Sequence, residues 1–262
     1  SLMFYNDSNV KKTFLSLGLP SADFQNYHHF GCNWPSPGSH SFWLHGNPSS
    51  YSFNAFESKE EAEQVNNAYI RGPENGWPDV FLNVLREFRN DPNATIEDIY
   101  NRYYQFVEDF VCKKVENGVK EIRVRRRKPW TVCTFTDCFT SIPIQKGESF
   151  SACAKYVFAL QAFEMFGTVC DCFTVVDALC FRENKLTVSE LLDAVDVNFY
   201  GYEQIYAMCR NVPKYGSDDD LSNDHVRRFS RKIADIVRQK GTKYLESDGF
   251  FLVPCLQESR LY

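Results

Sequence analysis

The sequence predicts an α/β fold rich in helices. Three observations carry this: several segments repeat apolar residues at the helical period, short β-branched and aromatic runs interrupt them, and no internal repeat or low-complexity tract appears. The 262 residues are 44% hydrophobic and 24% charged, and 23 Phe with 14 Tyr supply enough bulk for a sizeable core. The charge balance is 29 Lys+Arg against 34 Asp+Glu, a net of -5. Nucleic acid is not an expected partner, because phosphate binding draws on an excess of cationic side chains. No apolar run approaches the roughly 18–20 residues that cross a bilayer, and Ser1 to Asp7 has neither a basic nor an apolar leader region. A cytoplasmic protein without a membrane partner is expected.

The first fifty residues are rich in Gly, Pro, Ser, Asn and aromatics, which is loop chemistry broken by one short helical run near Val10 to Leu17. A loop of that length inside a domain usually carries function. Glu57 to Tyr69 and Asp79 to Phe88 read as helices; in the second, Val80, Phe81, Val84, Leu85 and Phe88 share a face. Thr95-Ile96-Glu97-Asp98 then opens a long helix by a capping-box pattern, with Ile96, Ile99, Tyr103, Phe106, Phe110 and Val111 as its apolar stripe. The basic run Arg123 to Lys128, stopped by Pro129, reads as a solvated connector. Trp130 to Phe139 has the character of a buried strand, and Ser149 to Phe166 reads as a helix ended by Gly167. Thr168 to Phe181 fits helix or strand. A second capping box, Thr187-Val188-Ser189-Glu190, leads into Leu191, Leu192 and Val195. The last long helix, His225 to Lys240, turns Val226, Phe229, Ile233 and Val237 inward, with Gly241 as its stop. No break in composition divides the chain, so 1–262 is taken as one piece of one domain.

Ten cysteines are present, and without a leader they read as reduced thiols packed as small hydrophobes. The close pairs Cys133/Cys138 and Cys170/Cys172 lack the spacing that wraps a tetrahedral zinc, and no metal is expected. Phosphate-cradling, dinucleotide, nucleophile-elbow and zincin motifs are all missing. Two local constellations remain. Tyr27-His28-His29-Phe30-Gly31-Cys32-Asn33-Trp34-Pro35 sets one cysteine in a loop beside two histidines and a tryptophan. Spacing leaves three readings of Cys32 open: a structural thiol, a nucleophile with His28 or His29 as base, or a metal ligand. The second runs from Cys209 to Asp220, where Pro213 and Gly216 bracket Lys214-Tyr215 and three aspartates follow. It reads as a fixed turn with an acidic, solvated end, since the aspartates lack the alternating ligand spacing of a calcium loop.

Taken in order, these segments resemble the glycyl radical enzyme family, which includes pyruvate formate-lyase and its dehydratase and decarboxylase relatives. The match joins Phe4-Tyr5-Asn6-Asp7, Gly18 and the Cys32 loop to Asp137-Cys138, Ala154-Lys155-Tyr156, Gly167 to Leu179, Leu186 to Asn198, Gly201-Tyr202-Glu203 and Asn211 to Asp220. The Pro-Lys-Tyr-Gly-x-Asp-Asp run is its most specific part. The resemblance implies half of a ten-stranded α/β barrel wrapped by many helices. It also implies a fragment: family members are much longer, and no Arg-Val-Ser-Gly-Tyr-like motif of a C-terminal glycyl radical domain occurs here.

By that resemblance Cys32 is the catalytic residue. It gives a hydrogen atom to the glycyl radical and, as a thiyl radical, takes one from substrate in a lyase reaction that cleaves a C–C, C–O or C–N bond. Trp34 and His29 flank it as candidate substrate-binding residues. No cofactor is expected to bind directly; the radical belongs to a glycine outside this chain. The implied partners are a small-molecule substrate, a radical-SAM activating enzyme, the remainder of the parent polypeptide, and a second copy in a homodimer. Two departures bear on the reaction. Pyruvate formate-lyase has two adjacent cysteines, where this sequence has Gly31 before Cys32. Dehydratase and decarboxylase relatives place a glutamate where Trp34 stands, and indole cannot exchange that proton at neutral pH. The alternative reading is therefore a non-catalytic or split piece, acting in assembly or needing a glycyl segment from another chain.

Overall fold

The computed structural model describes residues 16, 27–30, 34–37, 41–43, 73, 76–127, 135–139 and 141–257, with backbone alone for 27–30, 34–37, 41–43, 135–136, 150–151 and 257. Of the run Val10 to Leu17 only Ser16 is described, and it is helical; the expected helix at Glu57 to Tyr69 lies outside the described residues. Strands β1 (Tyr27–Phe30) and β2 (Trp34–Pro37) form an antiparallel hairpin. Strand β3 (Ser41–Trp43) follows and joins β4 (Tyr156–Glu164) and β5 (Phe250–Gln257) in a parallel sheet with β4 in the middle.

Two expected helices form where the periodicity placed them. Helix α1 (Trp77–Glu87) buries Trp77, Val80, Phe81, Val84 and Leu85 on one face. Helix α2 (Ile96–Arg127) is about 48 Å long at 1.5 Å per residue. The Thr95 hydroxyl accepts the Asp98 N–H at 3.3 Å while the Asp98 carboxylate accepts the Thr95 N–H at 2.9 Å, so two orphan donors are satisfied together. The basic run is not a connector. Residues 123–127 are the last turns of α2, where Val124 and Arg125 are buried, Arg125 bonds Glu121 at 2.8 Å and Arg123 grips Asp248 through two 2.9 Å bonds. A charge run read in one dimension hides that every third or fourth position of a helix faces inward.

The segment from 135 onward departs most from expectation. Phe135–Phe139 is a 3₁₀ turn, followed by the short helices α3 (Ser141–Lys146) and α4 (Phe150–Cys153). The helix expected over Ser149 to Phe166 is instead α4 and then β4. Both faces of β4 are covered, so apart from the buried Gln161 its interior is apolar without alternation, and such a pattern does not separate strand from helix. Gly167 does not end a helix; it is the second residue of α5 (Phe166–Val176), which continues into a π-helical stretch, Asp177–Arg182.

The second capping box forms as expected at the start of α6 (Val188–Asp196), with Leu191 and Leu192 buried. Helix α7 (Glu203–Asn211), α8 (Asp220–Gly241), the single turn α9 (Leu245–Asp248) and β5 complete the order. Gly241 is not a left-handed stop. It is the last residue of α8, and a Cβ there would stand 3.0 Å from Leu252 of β5.

The main core lies between one face of the sheet and helices α1, α2, α5 and α8. Phe173 of α5 is its hub: it stacks on Tyr100 at 3.9 Å with parallel rings and meets Phe81 edge-on at 4.7 Å. Val157, Ala159 and Phe163 of β4, with Phe250 and Leu252 of β5, form the sheet's contribution to it.

Candidate active site

The antiparallel register pairs Tyr27 with Pro37, His28 with Ser36, His29 with Pro35 and Phe30 with Trp34. His29 and Trp34 are thus brought onto facing strands of one hairpin, one step apart in the ladder. Three residues join the paired ends Phe30 and Trp34. Cys32 is the middle one in sequence and lies outside the described residues. Four residues after the hairpin the chain enters the parallel sheet as β3, so hairpin and sheet are separated by a very short tether.

The sheet face turned away from the main core was missed by sequence reasoning, because β4 read as helix and β5 was not assigned. Phe158 and Phe251 stack there at 5.8 Å. Toward the carboxyl ends of the strands, Leu160, Glu164, Val253 and Cys255 are half-buried. Burial, and then the neighbouring Glu164 carboxylate, raises the Cys255 thiol, so it stays protonated at neutral pH. The turn out of β4 is held by Met165 in the left-handed region at φ 59, and α5 starts immediately after it. The space beyond the carboxyl ends of parallel strands is where such sheets place ligands.

The Pro-Lys-Tyr-Gly stretch is a structural joint. The Lys214 ammonium donates to the carbonyls of Cys209 at 2.6 Å and Val212 at 2.5 Å, stapling the end of α7. The Tyr215 N–H donates to the Asp171 carboxylate of α5 at 2.6 Å. The acidic end is only partly a solvated run: Asp219 caps α8 by accepting the Leu221 N–H at 2.9 Å.

Below this joint, His225 Nε2 lies 3.1 Å from Asp177 Oδ2 and its Nδ1 lies 2.6 Å from the Tyr100 hydroxyl, all three groups buried. Arg182 donates to the same Asp177 oxygen at 2.7 Å. Burial opposes ionisation of Asp177, but the hydrogen bonds from His225 and Arg182 outweigh it and hold the carboxyl below its ordinary range. Burial raises the Tyr100 hydroxyl far above the usual phenol value.

The Cys172 and Cys180 thiols are both pushed up to about 12 by burial. Neither is poised as an anionic nucleophile. Among the described residues no three His, Cys, Asp or Glu side chains gather where they could hold a metal ion, and no described helix is long and apolar enough to cross a membrane.

A family model described as "Pyruvate formate lyase-like" matches residues 1–249. Among curated proteins, an isethionate sulfite-lyase of Bilophila wadsworthia is 34% identical over 84 residues, 32% of this chain and 10% of the relative. A trans-4-hydroxy-L-proline dehydratase of Clostridioides difficile is 26% identical over 160 residues, 59% of this chain and 20% of the relative. Among solved structures, the glycerol-bound B12-independent glycerol dehydratase from Clostridium butyricum superposes with a TM-score of 0.63 at 19% identity, covering 97% of this chain and 30% of that one. The hydroxyproline dehydratase from Clostridioides difficile gives 0.62 at 20% identity, covering 98% and 30%. The matches therefore span a tenth to a fifth of these curated relatives and under a third of the solved chains. The structural likeness bears on fold, and it agrees with a helix-rich α/β arrangement around a small parallel sheet.

Proposed function

The chain belongs to the pyruvate formate lyase-like family of glycyl radical enzymes, and from that premise we propose that it is the cysteine-bearing central part of a glycyl radical lyase. On this reading residues 1–262 form a single fragment of the domain, and its parallel strands are part of one half of the family's barrel. The C-terminal glycyl radical domain lies elsewhere in the parent polypeptide.

The observation that carries the reading is the hairpin register. Pairing of Phe30 with Trp34 leaves a connection of three residues with Cys32 at its centre, which supports a sulfur at a loop tip. Radical relay needs that geometry more than it needs a depressed thiol pKa. Cys32 gives its S–H hydrogen atom to the glycyl radical, then as a thiyl radical takes a hydrogen atom from a substrate C–H and regains its S–H. The substrate carbon is left with one unpaired electron, and the bond to the adjacent carbon's substituent breaks. Return of a hydrogen atom from Cys32 to the product radical leaves Cys32 as a thiyl radical again, and a hydrogen atom taken back from the glycine restores both the S–H and the glycyl radical. An enclosed, dry pocket protects these species from side reactions.

Gly31 before Cys32 removes the second thiol that acyl transfer would use. Trp34 cannot protonate a leaving group, so the reading favours a bond whose leaving group departs without a proton from that position. His29, one ladder step from Trp34, is the nearest sequence candidate for a polar substrate contact. The substrate is a small molecule, as the names of the lyase and dehydratase relatives suggest, and activation falls to a radical-SAM enzyme under anaerobic conditions in the cytoplasm.

The test is Cys32→Ser in the full-length parent, activated anaerobically by its radical-SAM partner. The glycyl radical signal in electron paramagnetic resonance is expected to persist while turnover disappears. Turnover at the unsubstituted rate defeats the assignment. In a split reading a separate chain brings the glycyl segment, and mixing with such a chain would then restore turnover.

A further inference from the structure

Helix α2 carries three buried tyrosines, Tyr100, Tyr103 and Tyr104, and each hydroxyl meets a different kind of group. The Tyr103 hydroxyl donates to the Trp77 carbonyl at 3.4 Å, and an amide oxygen is far too weak a base to keep that proton. The Tyr104 hydroxyl lies by the Arg228 guanidinium, which offers donors only. Of the three, Tyr100 faces a base. Its hydroxyl is 2.6 Å from His225 Nδ1, and the two rings lie within 12° of parallel. The roles along this row are fixed from its far end. Asp177 is ionised and can only accept, so His225 Nε2 carries a hydrogen and donates it at 3.1 Å. In the neutral ring Nδ1 then keeps a lone pair, and Tyr100 donates into it. Arg182 reaches in from the surface to the same Asp177 oxygen and holds that carboxylate charged.

We propose that Tyr100 is a redox site, oxidised by one electron while its proton passes to His225, and that the aromatic core around it drains to this ring. A phenol that loses an electron becomes a strong acid. In a core where an uncompensated charge is costly, it is oxidised readily only where a base stands ready for the proton. The step balances within the row. The Tyr100 O–H bond breaks and a His225 Nδ1–H bond forms, while the electron goes to a sulfur-centred radical, which becomes a thiolate. What remains is a neutral phenoxyl radical that accepts a hydrogen bond from Nδ1–H, beside an imidazolium whose charge Asp177 balances. An electron returned by a thiolate reverses both moves, and no proton leaves the buried row. Neighbouring rings lead to the same place: Tyr104 stacks on Tyr100 at 5.4 Å, and Phe173 lies between Tyr100, at 3.9 Å, and Tyr103, at 5.5 Å. The Arg228 guanidinium, 3.7 Å over the Tyr100 ring, opposes a positively charged ring and so favours departure of electron and proton together. The site goes beyond the lyase reading and does not rest on it, because any one-electron oxidant of thiyl strength serves. Under that reading the same polypeptide generates a thiyl radical, and Tyr100 takes up an oxidising equivalent that strays from it.

Flash-quench oxidation of the protein by a ruthenium(III) polypyridyl complex under argon tests this, read by transient absorption and by freeze-quench electron paramagnetic resonance. A persistent phenoxyl signal is expected, and it is expected to form more slowly in heavy water. Tyr100→Phe should abolish the persistent signal and leave only short-lived radicals on exposed tyrosines such as Tyr200 and Tyr215. His225→Gln is the sharper variant. Its amide can still accept from Tyr100 and donate to Asp177, so the melting temperature is expected to stay near the parent's, yet an amide cannot take the proton and the persistent signal is lost. A parent with no persistent phenoxyl overturns the proposal, as does a persistent phenoxyl in Tyr100→Phe or in folded His225→Gln. Formation at the same rate in heavy water overturns it too. If His225→Gln does not fold, Tyr100→Phe and the heavy-water comparison decide.

Discussion

Gly118 sits in the middle of α2 facing β5, and replacing it by alanine sets two effects of opposite sign against each other. In an exposed helix the change would stabilise by about 1 kcal/mol through propensity alone. Here a Cβ would stand 2.5 Å from Cε1 and 3.1 Å from Cε2 of Phe250, and closer still to Cζ. The ring cannot move into water, because Phe250 is fully buried, and its backbone is held by pairing with Val157 and by a 3.2 Å bond from its N–H to the Tyr244 carbonyl. Overpacking of this kind costs about 3 kcal/mol, and expelling an aromatic ring altogether costs about 5 kcal/mol. Subtracting the propensity gain leaves a net loss of about 2–4 kcal/mol. For a chain of this size the melting temperature then falls by roughly 5–15 °C. Urea denaturation of G118A, F250L and the double variant forms a cycle that isolates the clash. Leucine at 250 leaves a cavity on its own but relieves the collision in the G118A background, so a coupling of at least about 1 kcal/mol is expected. A G118A protein more stable than the parent, or strictly additive losses, would refute the claim that α2 and β5 meet at a fixed backbone-to-ring distance. The contact holds β5 against β4, the strand with which β3 also pairs.

Three further outcomes follow from named contacts. Asp177 has a depressed folded-state pKa, so its contribution is fully present above the unfolded value of about 3.9 and lost as pH falls through the folded one; the melting-temperature gap between parent and Asp177→Asn should be widest near neutrality and close below about pH 4. Thr187→Ala removes the hydroxyl that accepts the Glu190 N–H at 3.1 Å and should cost about 1 kcal/mol by urea titration, and adding Glu190→Ala should cost little more, because the 2.8 Å return bond belongs to the same box. Under iodoacetamide at mildly alkaline pH, peptide mapping should find the exposed Cys138 labelled well before the half-buried Cys172 and the buried Cys180, whose thiols are pushed up to about 12; labelling of Cys172 or Cys180 first would contradict those raised thiols.

What the sequence made legible follows from which forces are local. Both capping boxes, the buried face of α1 and the inward residues of α8 are set by contacts within a turn or two, and each formed where the pattern indicated. Strands β4 and β5 are set by neighbours far along the chain. β4 is covered on both sides, and β5 is apolar on both although Pro254 and Leu256 are exposed, so neither shows the alternation that marks a strand; β4 read as helix and β5 went unassigned. The same blindness affected 123–127, where Arg125 and Glu121 are buried together although the string of cations looks solvated. Of the site, the segment carrying His29 and Trp34 read as loop but forms two paired strands, and the half-buried Glu164 and Cys255 at the strand ends could not be found before the strands were.

On the proposed function, family membership and choice of reaction rest on different residues of this chain. The Pro-Lys-Tyr-Gly-x-Asp-Asp stretch is the most specific part of the resemblance, yet every described bond it makes is architectural. Lys214 closes the carbonyls that end α7, the Tyr215 amide ties the turn to Asp171 of α5, and Asp219 opens α8. Those bonds fix how α5 and α8 meet, and through α8 they support β5. They would be needed by any lyase built on this frame, whatever bond it breaks. Residues 29–34 make no such demand on the frame: a short hairpin closes equally well with glutamate or tryptophan two places after the cysteine. A motif match therefore reports the scaffold while saying little about substrate, and on the proposed function the departures at Gly31 and Trp34 bear on the chemistry. Discrimination among substrates is accordingly expected to respond to substitution at His29 and Trp34, and to be insensitive to Lys214→Met except through a loss of overall stability.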